Sequence, residues 1–415
     1  MRQILLIAVL LLLSGTTLIA QQGTTSPYSF YGMGTTNFKG TAENRAMGGL
    51  SVASDSIHLN MLNPAGLADL ELVNYTVGMS YQRADQKTLV EKQTATTTTF
   101  DYIAMGIPIG RFGVSFGLLP STSVGYHLTS NNDAEHLMEY EGSGGVNKAY
   151  LGLGVELIKN WNIGIQAGYN FGSIKNIGIS RIRGVNYATR ERNEFDVNGF
   201  DFVLGSSYTI PLSKGSYLIG SVGFSPKYDL NTENHRVVES ILYSASGEHL
   251  TMDRRELDMV KSDLELPQEL TFGLGYGIEK HWFLGAEYTE RGKESFNSHS
   301  LALTNVAFKS SKAYRLGGYY IPNYRSFNNI FNRIVYRAGV RYEELGLSIN
   351  GQDIKEFGIS FGVGVPMNRM FSNINLGLEY GKRGTKSAGL IQENYLNVIL
   401  TLSLNDKWFQ KRYIY

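Results

Sequence analysis

The chain has 415 residues, with 47 glycines, 26 tyrosines and no cysteine. The missing cysteine excludes disulfides, thiolate-bound metals and a lipidated N-terminal cysteine. Its 38 basic and 37 acidic side chains nearly cancel, so no net field draws in nucleic acid or an acidic substrate.

Arg2, the apolar run Ile4 to Leu13 and the polar Ser14 to Thr17 read as a secretory signal over residues 1–20, cleaved after Ala20. An uncleaved anchor is the alternative, although the run is short for a bilayer. Beyond residue 20 no apolar run is long enough for a spanning helix, so membrane insertion has to be by strands.

Residues 21–71 do not alternate. They carry Gly32, Gly34, Gly40, Gly48, Gly49 and the run Asn63, Pro64, Ala65, Gly66, Leu67. A segment this rich in glycine and turns does not build its own core and needs a container. The lumen of a following barrel supplies one; a free periplasmic arm is the other reading.

From residue 72 to 404 the period is two. In Phe357 to Val365 the odd positions are Phe, Ile, Phe, Val and Val, while glycine and serine fill the even ones. One face of such a strand is wholly apolar and the other small or polar. The pattern recurs in Phe112 to Leu118, Leu151 to Leu157, Trp161 to Phe171, Ile374 to Tyr380 and Leu396 to Leu404. These runs are about ten residues long, enough for a tilted strand to cross a bilayer. The fold class that follows is all-β: a transmembrane antiparallel barrel of about fourteen strands with an N-terminal hatch in its lumen. Tyr102, Tyr126, Trp161, Trp282, Tyr288, Tyr336, Tyr342, Tyr380 and Tyr395 are expected in interfacial girdles.

Connections alternate between short and long, with Pro108, Pro211, Pro322 and Pro366 at the short ends. That is the asymmetry of periplasmic turns and outer loops. The long outer connections are expected to include Thr129 to Val146, Asn176 to Glu194 and Asp229 to Leu266. Residues 405–415 form a basic and aromatic periplasmic tail.

Parity sends Glu156, Glu279, Glu287, Arg337, Arg341, Glu343 and Glu379 into the lumen. A basic side chain facing lipid at mid-bilayer would cost roughly 2–4 kcal/mol. These charges are expected either to pair across the wall or to clamp inner-segment residues such as Arg45 and Asp55, with Arg337 and Arg341 holding the hatch. Pro120 stands in the middle of the third strand, Arg111 to Tyr126, where a missing N–H is expected to open a local gap; a proline tolerated at a bulge is the other reading.

Catalytic motifs do not fit. Gly113-Val-Ser115-Phe-Gly117 and Gly358-Ile-Ser360-Phe-Gly362 match a hydrolase elbow but lie inside alternating strands, with no following helix. Gly152/Gly154 and Gly275/Gly277 are lumen positions for the same reason. The seven histidines show no metal-ligand spacing, and Ser298, His299 and Ser300 lack a paired carboxylate. No enzyme, metal or cofactor is expected.

Met47-Gly-Gly-Leu50, Asp55 and Asn63-Pro-Ala-Gly-Leu67, set between a signal and about fourteen strands, resemble the FadL/TodX family of outer-membrane transporters, and the ending Asn394-Tyr395 through Asn405-Asp406-Lys407-Trp408-Phe409 is similar to barrels of this family from Bacteroidetes-type bacteria. The resemblance implies a hatch-plugged barrel in the outer membrane. It would carry hydrophobic, fatty-acid-like molecules through a lateral opening in strand three, marked here by Pro120 and Gly117. The partners implied are outer-membrane lipid and a hydrophobic ligand. The family also includes members that carry no lipid and serve secretion or assembly complexes, and other complex subunits are then the partners.

Overall fold

A computed structural model describes residues 23–130, 135–243, 249–294, 305–326, 328–367 and 372–408. The expected signal, most of the C-terminal tail and Ser298, His299 and Ser300 lie outside the described residues.

Fourteen antiparallel strands form one closed barrel. They are β1 Val73–Lys87, β2 Lys92–Ile109, β3 Phe112–Ser130, β4 His136–Ile158, β5 Trp161–Ile182 and β6 Tyr187–Pro211. β7 comprises Ser216–Ser225 and Tyr228–Tyr243, and β8 comprises His249–Glu256, Val260–Leu266 and Glu269–Ile278. β9 is Trp282–Arg291, and β10 joins Val306–Phe308 to Ser311–Tyr320. β11 Val335–Ile349, β12 Gln352–Pro366, β13 Asn373–Arg383 and β14 Gln392–Asp406 complete the wall. β14 pairs with β1 along its whole length, which closes the ring and removes the free edges.

Alternation sets the two faces. In β12, Phe357 and Phe361 project outward while Gly358 and Ser360 are turned in. The outer belt continues through Leu151, Leu204, Leu274, Leu316 and Leu400, the apolar surface that a bilayer covers.

β4, β5 and β6 run 23, 22 and 25 residues, well beyond the membrane-crossing length. Most of Thr129 to Val146, Asn176 to Glu194 and Asp229 to Leu266 is therefore strand, not loop. Above the bilayer both faces meet water, so the ladder continues without the apolar alternation that marks it lower down.

Three aromatics expected in the girdles turn inward: Tyr102, Tyr126 and Tyr395 are 1, 4 and 2% exposed. For Tyr126 the cause is a bulge between Pro120 and Thr122, which reverses the alternation of everything above it.

Gly23 to Leu72 packs inside the ring. It contains short 3₁₀ turns at Pro27–Phe30 and Pro64–Asp69, a two-residue strand Thr35–Thr36, and the helix α1, Ala42–Ala46. Thr41 and Asn44 close a capping box on α1, which is needed because so short a helix cannot stabilise itself. α1 packs on β11 to β14 and the second 3₁₀ turn on β2 to β6.

Candidate functional site

Two rows of glycines explain how the inner segment fits. Gly113, Gly154, Gly164, Gly205 and Gly223 stand directly opposite one another across β3 to β7. Asn63 to Leu67 lies in this trough: a Cβ on Gly113, Gly154, Gly164 or Gly205 would meet its atoms closer than 3.0 Å. The run is a turn because Asn63 Oδ1 accepts the Ala65 N–H at 3.1 Å and Pro64 presets the first position. Gly66 lies against Asn60 and Ser54. Leu67 is buried with Leu59, Leu70, Tyr102 and Tyr150.

The second row is Gly275, Gly285, Gly317 and Gly339, continued by Ser360. Gly317 and Gly339 admit the backbone of Met47 and Gly48, where Gly48 and Gly49 take φ of +74° and +89°. Ser360 Oγ donates to the Ala46 carbonyl at 3.1 Å and accepts the Gly48 N–H at 3.0 Å. One elbow-motif serine is thus a fastening for the inner segment. The other, Ser115, is buried on β3.

Charge completes the attachment. Arg45 Nε donates to Glu379 Oε2 at 2.6 Å. Glu379 also accepts from Arg341 Nε at 2.9 Å and Asn397 at 3.1 Å. Arg341 bonds Glu356 as well, and Arg383 reaches the same carboxylate at 2.5 Å. On the facing wall, Ser51 donates its N–H and Oγ to Glu287 Oε2, both at 2.7 Å, while Arg315 holds Oε1 at 3.1 Å. Glu287 and Glu379 are 5 and 1% exposed, where an unpaired charge would be far costlier than a paired one.

Arg337 acts at one remove. It donates to Asn375 at 3.1 Å, and Asn375 donates to Glu43 of α1 at 2.6 Å. Arg341 reaches the inner segment through Glu379. Asp55 pairs within the segment, with His58 Nδ1 at 2.6 Å. Desolvation works against ionising both groups, although the Asp55 carboxylate is 46% exposed, and their mutual attraction prevails: Asp55 is held down to about 2 and His58 is raised above its ordinary value.

Glu279 is not a lumen charge. It follows the last residue of β8, sits in the turn to β9, is mostly exposed and pairs with Lys280 at 3.0 Å. Strand parity does not apply beyond the ladder's end. Glu156, near the same rim, accepts the Asn160 N–H at 2.9 Å.

Beside the inner segment the wall has a seam. β2 and β3 pair only from Ile103 opposite Leu118 down to Ile109 opposite Phe112. Gly117 lies within the paired part, and Pro120 sits just past its end. Above Leu118, among the described residues, the strand beside β3 on that side is Thr35–Thr36 of the inner segment, opposite Ser123 and Thr122. Asn37 N–H adds a bond to the Ser121 carbonyl at 3.0 Å. Behind the seam lies a cavity of about 270 Å³ lined by Asp101, Arg45, Arg341, Arg383 and Asn397. A further space of about 360 Å³ is lined both by Lys39, Lys148, Asp201 and Glu287 and by Phe38, Met61, Leu119, Phe224 and Phe308. Lys148 and Asp201 are buried against each other at 2.8 Å.

Sequence reasoning did not single out Ser360's fastening role, Glu356, Arg383, Ser51 or the Lys148–Asp201 pair. Parity marks Glu356 and Lys148 as inward, through Gly358 and Gly152 on the same face. Which groups meet across the barrel is not written along the chain.

The solved structures similar to this chain are membrane barrels. The Pseudomonas putida toluene transporter TodX superposes with a TM-score of 0.60 at 16% identity, covering 89% of this chain and 98% of that one. The Ralstonia pickettii toluene transporter TbuX gives 0.57 at 14%, covering 89 and 99%. A Pseudomonas aeruginosa FadL homologue gives 0.57 at 14%, covering 90 and 98%. At these identities the likeness establishes the fold, a FadL-like barrel of the outer membrane. No curated protein matches the chain. The family model for BamG matches residues 1–414, and with 14 strands closed around its own N-terminal segment, this chain belongs to the BamG family.

Proposed function

We propose that this barrel is a subunit of the Bam machinery that assembles outer-membrane proteins, and that its lumen is permanently filled and carries no cargo. The observation that carries the reading is the buried attachment of the inner segment by Arg45–Glu379 and Ser51–Glu287, beside a cavity behind the seam walled by Arg45, Asp101, Arg341, Glu356 and Arg383. An acyl chain or a small arene entering that space would strip water from charges and return no hydrogen bond. The family's Bam designation points the same way. A non-conducting barrel then offers its rim, its outer wall and the tall strands β4 to β6 as contact surfaces.

Purification of the tagged protein from native outer membranes tests this. Stoichiometric recovery of other Bam subunits, and loss of newly assembled barrels when the chain is depleted, are the expected results. Recovery of the barrel alone, with barrel assembly intact on depletion, overturns the reading.

A second reading, passage of hydrophobic molecules through a lateral opening, draws on the seam at Pro120 and on a fold shared with a toluene transporter. Pro120→Ala would then abolish uptake of a hydrophobic substrate. Uptake unchanged in that variant removes the lateral exit.

A further inference from the structure

The outer wall is not evenly convex. On β9 to β13 a groove of about 770 Å³ opens on the lipid-facing side. Its floor is the register pair Gly318 and Ala338, the smallest residues available at two adjacent outward positions. Its sides are Leu284, Leu316, Val340 and Phe361, and Tyr320 and Tyr336, also paired in register, stand at its periplasmic end. From Tyr320 to Leu316 is about 13 Å of strand at ~3.3 Å per residue, close to the ~15 Å half-thickness of a hydrocarbon core.

The periplasmic end of this groove carries positive charge. The His281 ring meets Tyr320 edge-on at 5.4 Å, and the adjacent Lys280 lies over Tyr324 at 5.9 Å. Arg325 follows Tyr324, is exposed, and has no ion-pair partner among the described residues. Glu279 pairs with Lys280 and Glu71 also acts on it, so the exposed Arg325 is the rim cation that no carboxylate offsets among the described residues. The turn beside it exposes Ile330 and Phe331, and the Phe331 carbonyl accepts the Tyr336 hydroxyl at 3.2 Å. Apolar tips, tyrosines and cations at one depth are the composition of a head-group layer.

We infer that this groove is a binding site for an anionic phospholipid of the periplasmic leaflet, one acyl chain lying over Gly318 and Ala338 and the phosphate held by Lys280 and Arg325. The inference is independent of the assembly role, since it concerns the outer wall and not the lumen.

Native mass spectrometry of the full-length protein, titrated with dioleoyl-phosphatidylglycerol or dioleoyl-phosphatidylcholine, tests it. The unaltered protein should retain one phosphatidylglycerol at concentrations where phosphatidylcholine is lost. Ala338→Leu, which fills the floor from outside the barrel core, should weaken retention at least tenfold. Lys280→Glu with Arg325→Glu should abolish the preference for phosphatidylglycerol while leaving acyl-chain binding. Equal retention of both lipids by the unaltered protein, or undiminished retention by the filled variant, overturns the site. A photo-crosslinking group replacing Val340 provides a check in native membranes. Capture of phospholipid supports the site, and capture of protein in its place overturns it.

Discussion

The carbonyl oxygen of Pro64 lies 2.7 Å from the point where a side chain on Gly154 would begin. Gly164 and Gly205 crowd the same turn, so Gly154→Val or Gly164→Val has to displace backbone. Overpacking of this kind costs about 1–3 kcal/mol, visible as earlier unfolding in heat-modifiability gels. Gly220→Ala is the control, because a Cβ there meets only Leu274 at 3.7 Å, and it should unfold with the parent.

Glu379→Gln removes the carboxylate charge shared by Arg45 and Arg341. Breaking one partner of a buried pair costs about 3–5 kcal/mol, and Arg45→Met combined with Glu379→Gln should cost less than the sum of the single changes. A double-mutant cycle on denaturant midpoints measures this. Additive losses would mean that the two groups do not act together.

Arg337 and Arg341 both reach the inner segment through one intermediate residue. Replacing both with alanine should loosen it and raise single-channel conductance in planar bilayers above the parent level. Conductance that stays at the parent level would remove their retaining role.

Thr35 and Ser123 are register partners, within the span a disulfide requires, and the chain has no other cysteine to interfere. Thr35→Cys with Ser123→Cys should cross-link on oxidation and leave barrel assembly in cells unaltered, since the proposed role needs no movement of the segment. Loss of activity on oxidation, restored by reductant, would show that the segment must leave the seam.

The Asp55–His58 pair gives the inner segment a pH window. His58, raised by the carboxylates of Asp55 and Glu43 against the effect of burial, contributes stability that is complete below its unfolded value of about 6.5. That contribution fades as pH rises through the higher folded value. Asp55, lowered to about 2, contributes above its unfolded value of about 3.9 and loses this as pH falls toward the folded one. Unfolding midpoints should therefore decline as pH rises above about 6.5, and His58→Gln should flatten that decline.

The barrel was legible because alternation in strands such as Phe357 to Val365 is a local property that lipid enforces at each residue. The run Asn63 to Leu67 was legible as a turn for the same local reason. The glycine rows were not. Gly113, Gly154, Gly164 and Gly205 line up only through register across four strands, although their excess on the inward parity was apparent. Tyr126 went astray because one bulged residue near Pro120 inverts the side-chain directions above it, and nothing in the neighbouring letters announces the insertion. Glu279 went astray because the strand stops one residue before it.

Closure of β14 on β1 along fifteen residue pairs leaves no free backbone edge at that join. The inner segment instead finds its edge where β2 and β3 part: Thr35–Thr36 pair with β3 there, so the centre of the molecule supplies hydrogen bonds that the wall itself leaves open.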